Sequence, residues 1–195
     1  MAAPLTRSDL MSLEQYAERR SDFRKQVIAH KKHRRVGIGP HLFLYFEDRL
    51  TVQYQIQEML RIEKIFDADG INEELDAYNP LIPEGNNLKA TAMLEYQDVA
   101  QRKQQLAKLK GIEDLVWIRV GSFEPVYAIS NEDLERSNEE KTSAVHFMRF
   151  ELDADMIAAL RQGAVLSIGT SHPSYLHSSE VEADTCLALL ADLSE

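Results

Sequence analysis

Eight of the 22 lysines and arginines in this 195-residue chain lie between Arg19 and Arg35, and Asp22 is the only acid among them. Residues 1–35 carry a net charge of +5 and residues 36–195 a net −15. Unpaired charges are almost never buried, so this basic segment must run along a surface, against the acidic body of its own molecule or an acidic partner. Its apolar residues give it helical form. Leu13, Tyr16, Phe23 and Val27 recur at three- to four-residue steps, and Ser12 with Gln15 has the spacing of a capping box. Gly37, Gly39 and Pro40 are expected to end the pattern. Arg20 falls in the apolar stripe and calls for an anion there, unless its stem packs while its head reaches water.

The rest of the chain alternates helical and strand periods. Leu42 to Phe46 is a continuous aromatic-rich run, as in a strand covered on both faces. Thr51 is a plausible cap for a second amphipathic helix carrying Val52, Ile56, Met59, Leu60 and Phe66, and a short helix is expected over Ile71 to Tyr78. Pro83, Gly85, Asn86 and Asn87 form the clearest loop. Leu88 to Tyr96 alternates as a strand with one drier face, and Asp98 can cap the helix that follows. Strands are expected at Leu115 to Val120, with Trp117 as a core anchor, and at Pro125 to Ile129, Val145 to Leu152 and Val165 to Ile168. Asn131 to Lys141 has the composition of a surface excursion. Asp153 caps a further helix. A loop runs from Gly169 to Tyr175, and Ser179 with Glu182 has capping-box spacing for a last helix. These elements predict an α+β fold with a mixed or antiparallel sheet packed by several helices, helix-rich in its N-terminal half. One domain over 1–195 is expected, with a weak subdivision near 83–87.

Bulk properties narrow the function classes. The net charge of −10 opposes long-range attraction to nucleic acid or anionic lipid, leaving only the basic helix to argue for such contact. A single cysteine, Cys186, allows no internal disulfide and cannot by itself hold an iron–sulfur cluster. The apolar runs are too short to span a membrane, and a cytoplasmic location is expected. Eight glycines form neither a Walker A loop nor a dinucleotide fingerprint, and no Gly-x-Ser-x-Gly elbow accompanies Ser171 and His172.

Three groups of residues could still carry function. Arg24, Lys25, Lys31 and Lys32 could bind an acidic partner. Arg20, Gln57, Glu58, Arg61, Glu63, His172 and Tyr175 form a candidate polar cluster, within which a buried glutamate pairing with Arg20 or Arg61 is the plainest arrangement. Glu58 and Glu63 diverge by more than a hundred degrees of helix arc, so one helix cannot direct both at one metal. A metal reading would therefore need Glu58 or Glu63 to meet His146, His172 or His177 from distant segments. No cofactor is expected otherwise.

Tyr54-Gln55-Ile56-Gln57-Glu58-Met59 through Arg61 and Glu63, then Glu74-Leu75 with Tyr78-Asn79-Pro80-Leu81-Ile82-Pro83, and later His172-Pro173 with Tyr175, resemble an uncharacterised bacterial family of about this chain's length. The resemblance spans nearly the whole chain. Members are often encoded beside rubrerythrin and a cysteine-rich iron–sulfur protein of the heterodisulfide-reductase type. The resemblance thus implies an accessory to peroxide defence or electron transfer, touching one of those redox partners, with no activity to carry over. The alternative is a metal-dependent enzyme or oxygen-handling protein.

Overall fold

The computed structural model describes residues 3–132 and 140–194. Helix α1 (Leu13–Lys31) begins at the expected capping box, with the Ser12 hydroxyl accepting from the Gln15 amide and the Gln15 side chain reaching back. It ends at Lys31, before the glycines. Gly37 instead lies within strand β1 (Arg35–Ile38), which pairs antiparallel with β2 (Leu42–Phe46).

Asp48, rather than Thr51, caps α2 (Arg49–Glu63); Thr51 sits three residues on and donates back to Asp48 and Glu47. This helix stops before Phe66 because Lys64 turns left-handed, with φ at 58°. Helix α3 (Ala68–Tyr78), capped by Asp67, completes a helical layer with its own core of Leu5, Val52, Ile56, Leu60, Leu75 and Ile82.

Beyond residue 83 the chain builds β3 (Asn87–Leu94), α4 (Val99–Lys108), β4 (Val116–Val120), β5 (Val126–Tyr127), β6 (Ile129–Ser130), β7 (Val145–Glu151), α5 (Ala154–Arg161), β8 (Leu166–Thr170), β9 (His177–Glu180) and α6 (Ala183–Leu190). Among the described residues all strand pairs are antiparallel and form two sheets, ordered β1-β2-β3-β7-β6 and β5-β4-β8-β9. The sheets meet at both ends. Tyr127 and Ile129 pair in different sheets, while the Ala128 amide between them donates to Val116. At the other end the Ser179 hydroxyl of β9 donates to the Gly37 carbonyl of β1 at 2.7 Å. The two inner faces share one apolar core that includes Leu44, Phe46, Leu88, Ile118, Phe150 and Ile168. The result is a barrel-like wrap rather than an open sheet, with no long free edge among the described strands.

Several local expectations need correction. β3 is buried on both faces, because the helical layer covers the side that carries Lys89 and Thr91; Lys89 Nζ donates to the Pro80 carbonyl and Thr91 to Glu47. Trp117 is only half-buried and lies across Gly169, where a Cβ would come within 2.4 Å of the indole. Ser179 belongs to β9, so the last helix starts at Ala183 after Glu182, without a side-chain capping bond. Most of the expected excursion from Asn131 to Lys141 falls outside the described residues.

One buried cation ties the layers together. Arg34, 2% exposed, donates to the carbonyls of Phe46, Glu47 and Ala188 and pairs with Asp192, while Asp48 lies 3.5 Å away and also receives His30 at 2.5 Å. Burial pushes the Asp192 carboxyl up to about 6; the Asp48 charge adds to this and Arg34 opposes it, which leaves it mainly ionised at neutral pH. Arg34→Ala would leave the buried Asp192 carboxylate without its cation and three carbonyls without this donor. It is expected to lower unfolding stability by about 3–5 kcal/mol in urea titrations, whereas loss of the exposed Arg24 head should leave stability within about 0.5 kcal/mol.

Candidate functional site

The polar cluster expected from sequence resolves into separate arrangements. At its centre, Glu58 on α2 faces α1. Its Oε1 accepts from Tyr16 Oη at 2.6 Å and Arg20 Nε at 2.7 Å, its Oε2 accepts from Arg20 Nη2 at 2.7 Å, and Arg61 adds longer bonds at 3.4 and 3.2 Å. Arg20 thus finds its anion, in a fork that matches both carboxylate oxygens. Phe23 packs edge-on to Tyr16 and against Tyr54, closing the apolar side. The Arg20 bonds, helped by Tyr16 and Arg61, hold the Glu58 pKa at about 2 against the opposing effect of burial. Burial and the neighbouring carboxylate push the Tyr16 hydroxyl well up. With these donors on its oxygens, Glu58 serves as a helix-to-helix clamp and has no oxygen left over for a metal.

The other members go elsewhere. Gln57 is fully buried and ties the chain before α1 to α2, accepting from the Met11 amide at 2.6 Å and donating to its carbonyl at 3.3 Å. Glu63 is exposed on the far side of the helix turn. His172 is buried after β8, its Nδ1 accepting from the Ser174 amide and its Nε2 facing the Lys110 carbonyl. Tyr175 latches the β1–β2 turn, its hydroxyl accepting from the His41 and Leu42 amides and donating to the Ile38 carbonyl at 2.8 Å. The His177 ring packs against the Tyr175 ring, and His146 is buried with Thr142, Asn131 and Glu113. Glu58 and Glu63 therefore do not meet these histidines. Among the described residues no group of three or more His, Cys, Asp or Glu side chains is placed to hold a metal. Cys186 is half-buried, and burial pushes its thiol up.

The basic helix divides by face. Arg20 is used inside the molecule, whereas Arg24, Lys25 and Lys32 are exposed and Lys31 is half-buried over the Tyr54 ring. Lys25 pairs only with Asp22 of the same helix, and none of Arg24, Lys31 and Lys32 forms an ion pair with another described residue. In their midst Ile28 is 46% exposed. Helical spacing places Arg24, Lys25, Lys31 and Lys32 at i−4, i−3, i+3 and i+4 from it, so four cations ring one apolar side chain. Ile28 was legible as a residue that falls off the stripe of Leu13, Tyr16, Phe23 and Val27, but the sequence reading did not single it out. The Arg34 cluster with His30, Asp48 and Asp192 was missed outright, because nothing marks Arg34 among its basic neighbours. A largely apolar cavity of about 650 Å³, lined in part by Leu152, Ile157 and Arg161, shares no residue with the Glu58 clamp or the Ile28 patch.

A family model described as a protein of unknown function, DUF3501, matches residues 4–193. The chain belongs to the DUF3501 family. A crystal structure of a protein of unknown function from Burkholderia pseudomallei K96243 is 55% identical, covers 98% of this chain and 100% of its own, and superposes with a TM-score of 0.94. No curated protein matches. No helix among the described residues is long and apolar enough to cross a membrane.

The clamp gives stability a pH signature. Glu58 is held at about 2 in the folded chain, below its ordinary 4.5, so its contribution is complete above the ordinary value and disappears as pH falls towards 2. Urea midpoints followed from pH 5 to pH 2 should fall more steeply for the wild type than for Glu58→Gln. Parallel slopes would remove the clamp from the account.

Proposed function

We infer that this DUF3501 protein is an accessory binding protein that docks an acidic protein surface on the outer face of α1. The observation that carries the reading is the ring of Arg24, Lys25, Lys31 and Lys32 around the exposed Ile28. An apolar side chain set in a charged rim has the composition of a recognition patch: the centre gives affinity by burial, and the rim steers encounter and selects the sign of the partner. The clamp behind it supports this role. Glu58 fixes α1 through Arg20, so these cations ride on a helix held rigid before any partner arrives. The family context makes a rubrerythrin-type protein and an iron–sulfur protein of the heterodisulfide-reductase type the first partners to test.

The test is direct binding between the purified full-length chain and each of these neighbours by calorimetry, at low and high salt. Reversing Arg24, Lys25, Lys31 and Lys32 to Glu is expected to weaken association at least about tenfold, and high salt should weaken the wild type in the same direction. Binding indifferent to both changes would move the contact off α1. Failure of both neighbours to bind would remove the redox assignment.

A further inference from the structure

The molecule also carries the counterpart of its own basic patch. Where α2 ends and α3 begins, Ile62 and Phe66 stand 60% and 78% exposed, far more than apolar residues of this size usually do. Around them lie Glu63, Asp67, Asp69 and Glu73, all exposed, with Lys64 the one cation in the segment from 62 to 76. Among the described residues none of these four acids forms an ion pair. Behind them Glu74 Oε2 is buried without a hydrogen-bond partner, and burial together with the Glu63 and Glu73 charges pushes its pKa up. Next to Phe66 a groove of about 670 Å³ is lined by Leu10, Leu13, Leu60, Ile65 and Ile71, with Arg7 and Glu14 among the polar residues at its border. The corner therefore offers two exposed apolar side chains among four exposed acids, beside a groove of mixed apolar and polar lining whose charged members are Arg7 and Glu14.

The α1 patch offers an apolar residue in a cationic rim. The two cannot meet within one molecule. Leu13 borders the groove and Ile28 centres the patch, and fifteen residues of continuous helix hold them roughly 22 Å apart. Deepening the reading above and resting on it, we propose that the acidic corner at Ile62 and Phe66 is the docking site for α1 of a second copy of this chain, Ile28 packing against Ile62 and Phe66 and Arg24, Lys25, Lys31 and Lys32 meeting Glu63, Asp67, Asp69 and Glu73. The two surfaces differ, so the contact is head-to-tail and propagates into a ring or a chain. An outside acidic partner competes with the next copy for α1, which couples assembly to partner availability.

Two variants test this with folding held constant, since the side chains altered are exposed. One changes the patch: Arg24→Glu, Ile28→Ser and Lys32→Glu. The other changes the corner: Glu63→Lys, Phe66→Ser and Asp69→Lys. Both should match the wild type in circular dichroism and thermal unfolding. In sedimentation velocity the wild type is expected to form species larger than a dimer as concentration rises, receding with salt. Each variant alone should stay monomeric at concentrations at least about tenfold above the wild-type midpoint. Mixed in equal amounts, the variants should give a 1:1 dimer and nothing larger, because one intact patch meets one intact corner. A wild type that stays monomeric throughout, variants that assemble like the wild type, or a mixture that stays monomeric would each overturn the proposal. The two variants also separate the two readings, the corner variant first. If it binds an acidic partner protein while the wild type never self-associates, docking on α1 stands and the second copy falls. If self-association occurs as described and the patch variant still binds the partner unchanged, the outside-partner reading falls instead.

Discussion

A single buried guanidinium organises this molecule. Arg34 sits where the basic helix gives way to the first strand, and its donors reach the end of β2, the approach to α2 and the last helix. These segments are far apart in sequence, so the bonds close the chain on itself. A charge that deep is tolerated only when every donor is engaged, and two carboxylates, Asp48 and Asp192, answer it. His30 joins the same group from the last turn of α1, so the basic helix is locked at its C-terminal end by one network and at its middle by Glu58. A helix with two such anchors keeps its outer face in fixed register with the rest of the surface.

That fixation separates the cations by role. Arg20 and Arg34 are spent inside, each on acids of the same molecule, and Arg35 pairs with Glu95 while lying over the Phe43 ring. Arg24, Lys31 and Lys32 are left without internal acids among the described residues. The charge partition of the sequence therefore has two consequences at once. Part of it is neutralised in cis to hold layers together, and part remains on the surface as a patch with Ile28 at its centre. The acidic corner at the end of α2 is the mirror case, with carboxylates gathered around exposed apolar residues and, apart from the cap that Asp67 supplies to α3, facing outward without an ion pair among the described residues.

Local signals were read well where they depend on short-range physics. The Ser12 cap with Gln15, the Asp98 and Asp153 caps and most strand positions follow from hydrogen-bonding geometry within four residues or from a two-residue period. Errors arose where two local readings compete. Thr51 and Asp48 are both capping residues three apart, and each takes one half of the same box. Ser179 with Glu182 has the right spacing for a cap, yet pairing with β8 and the bond to Gly37 draw Ser179 into a strand. Trp117 has the size of a core residue, but its ring lies over Gly169 at the edge of the barrel-like wrap.

The sequence by itself determined the class of fold and the helical form of the basic segment, because periodicity acts locally, and it marked Arg20 as the basic residue that falls in the apolar stripe. It also carried the family membership. Only the tertiary structure decided which acids answer which bases: that Glu58 takes Arg20, that Arg34 rather than its neighbours is buried, and that Gln57, His172 and Tyr175 serve backbone groups instead of one shared site. Seven polar residues of similar type can be partnered in many ways along a chain. The packing of helices and sheets selects one of them, since each buried donor or acceptor must find its complement within about 3 Å of where the backbone places it.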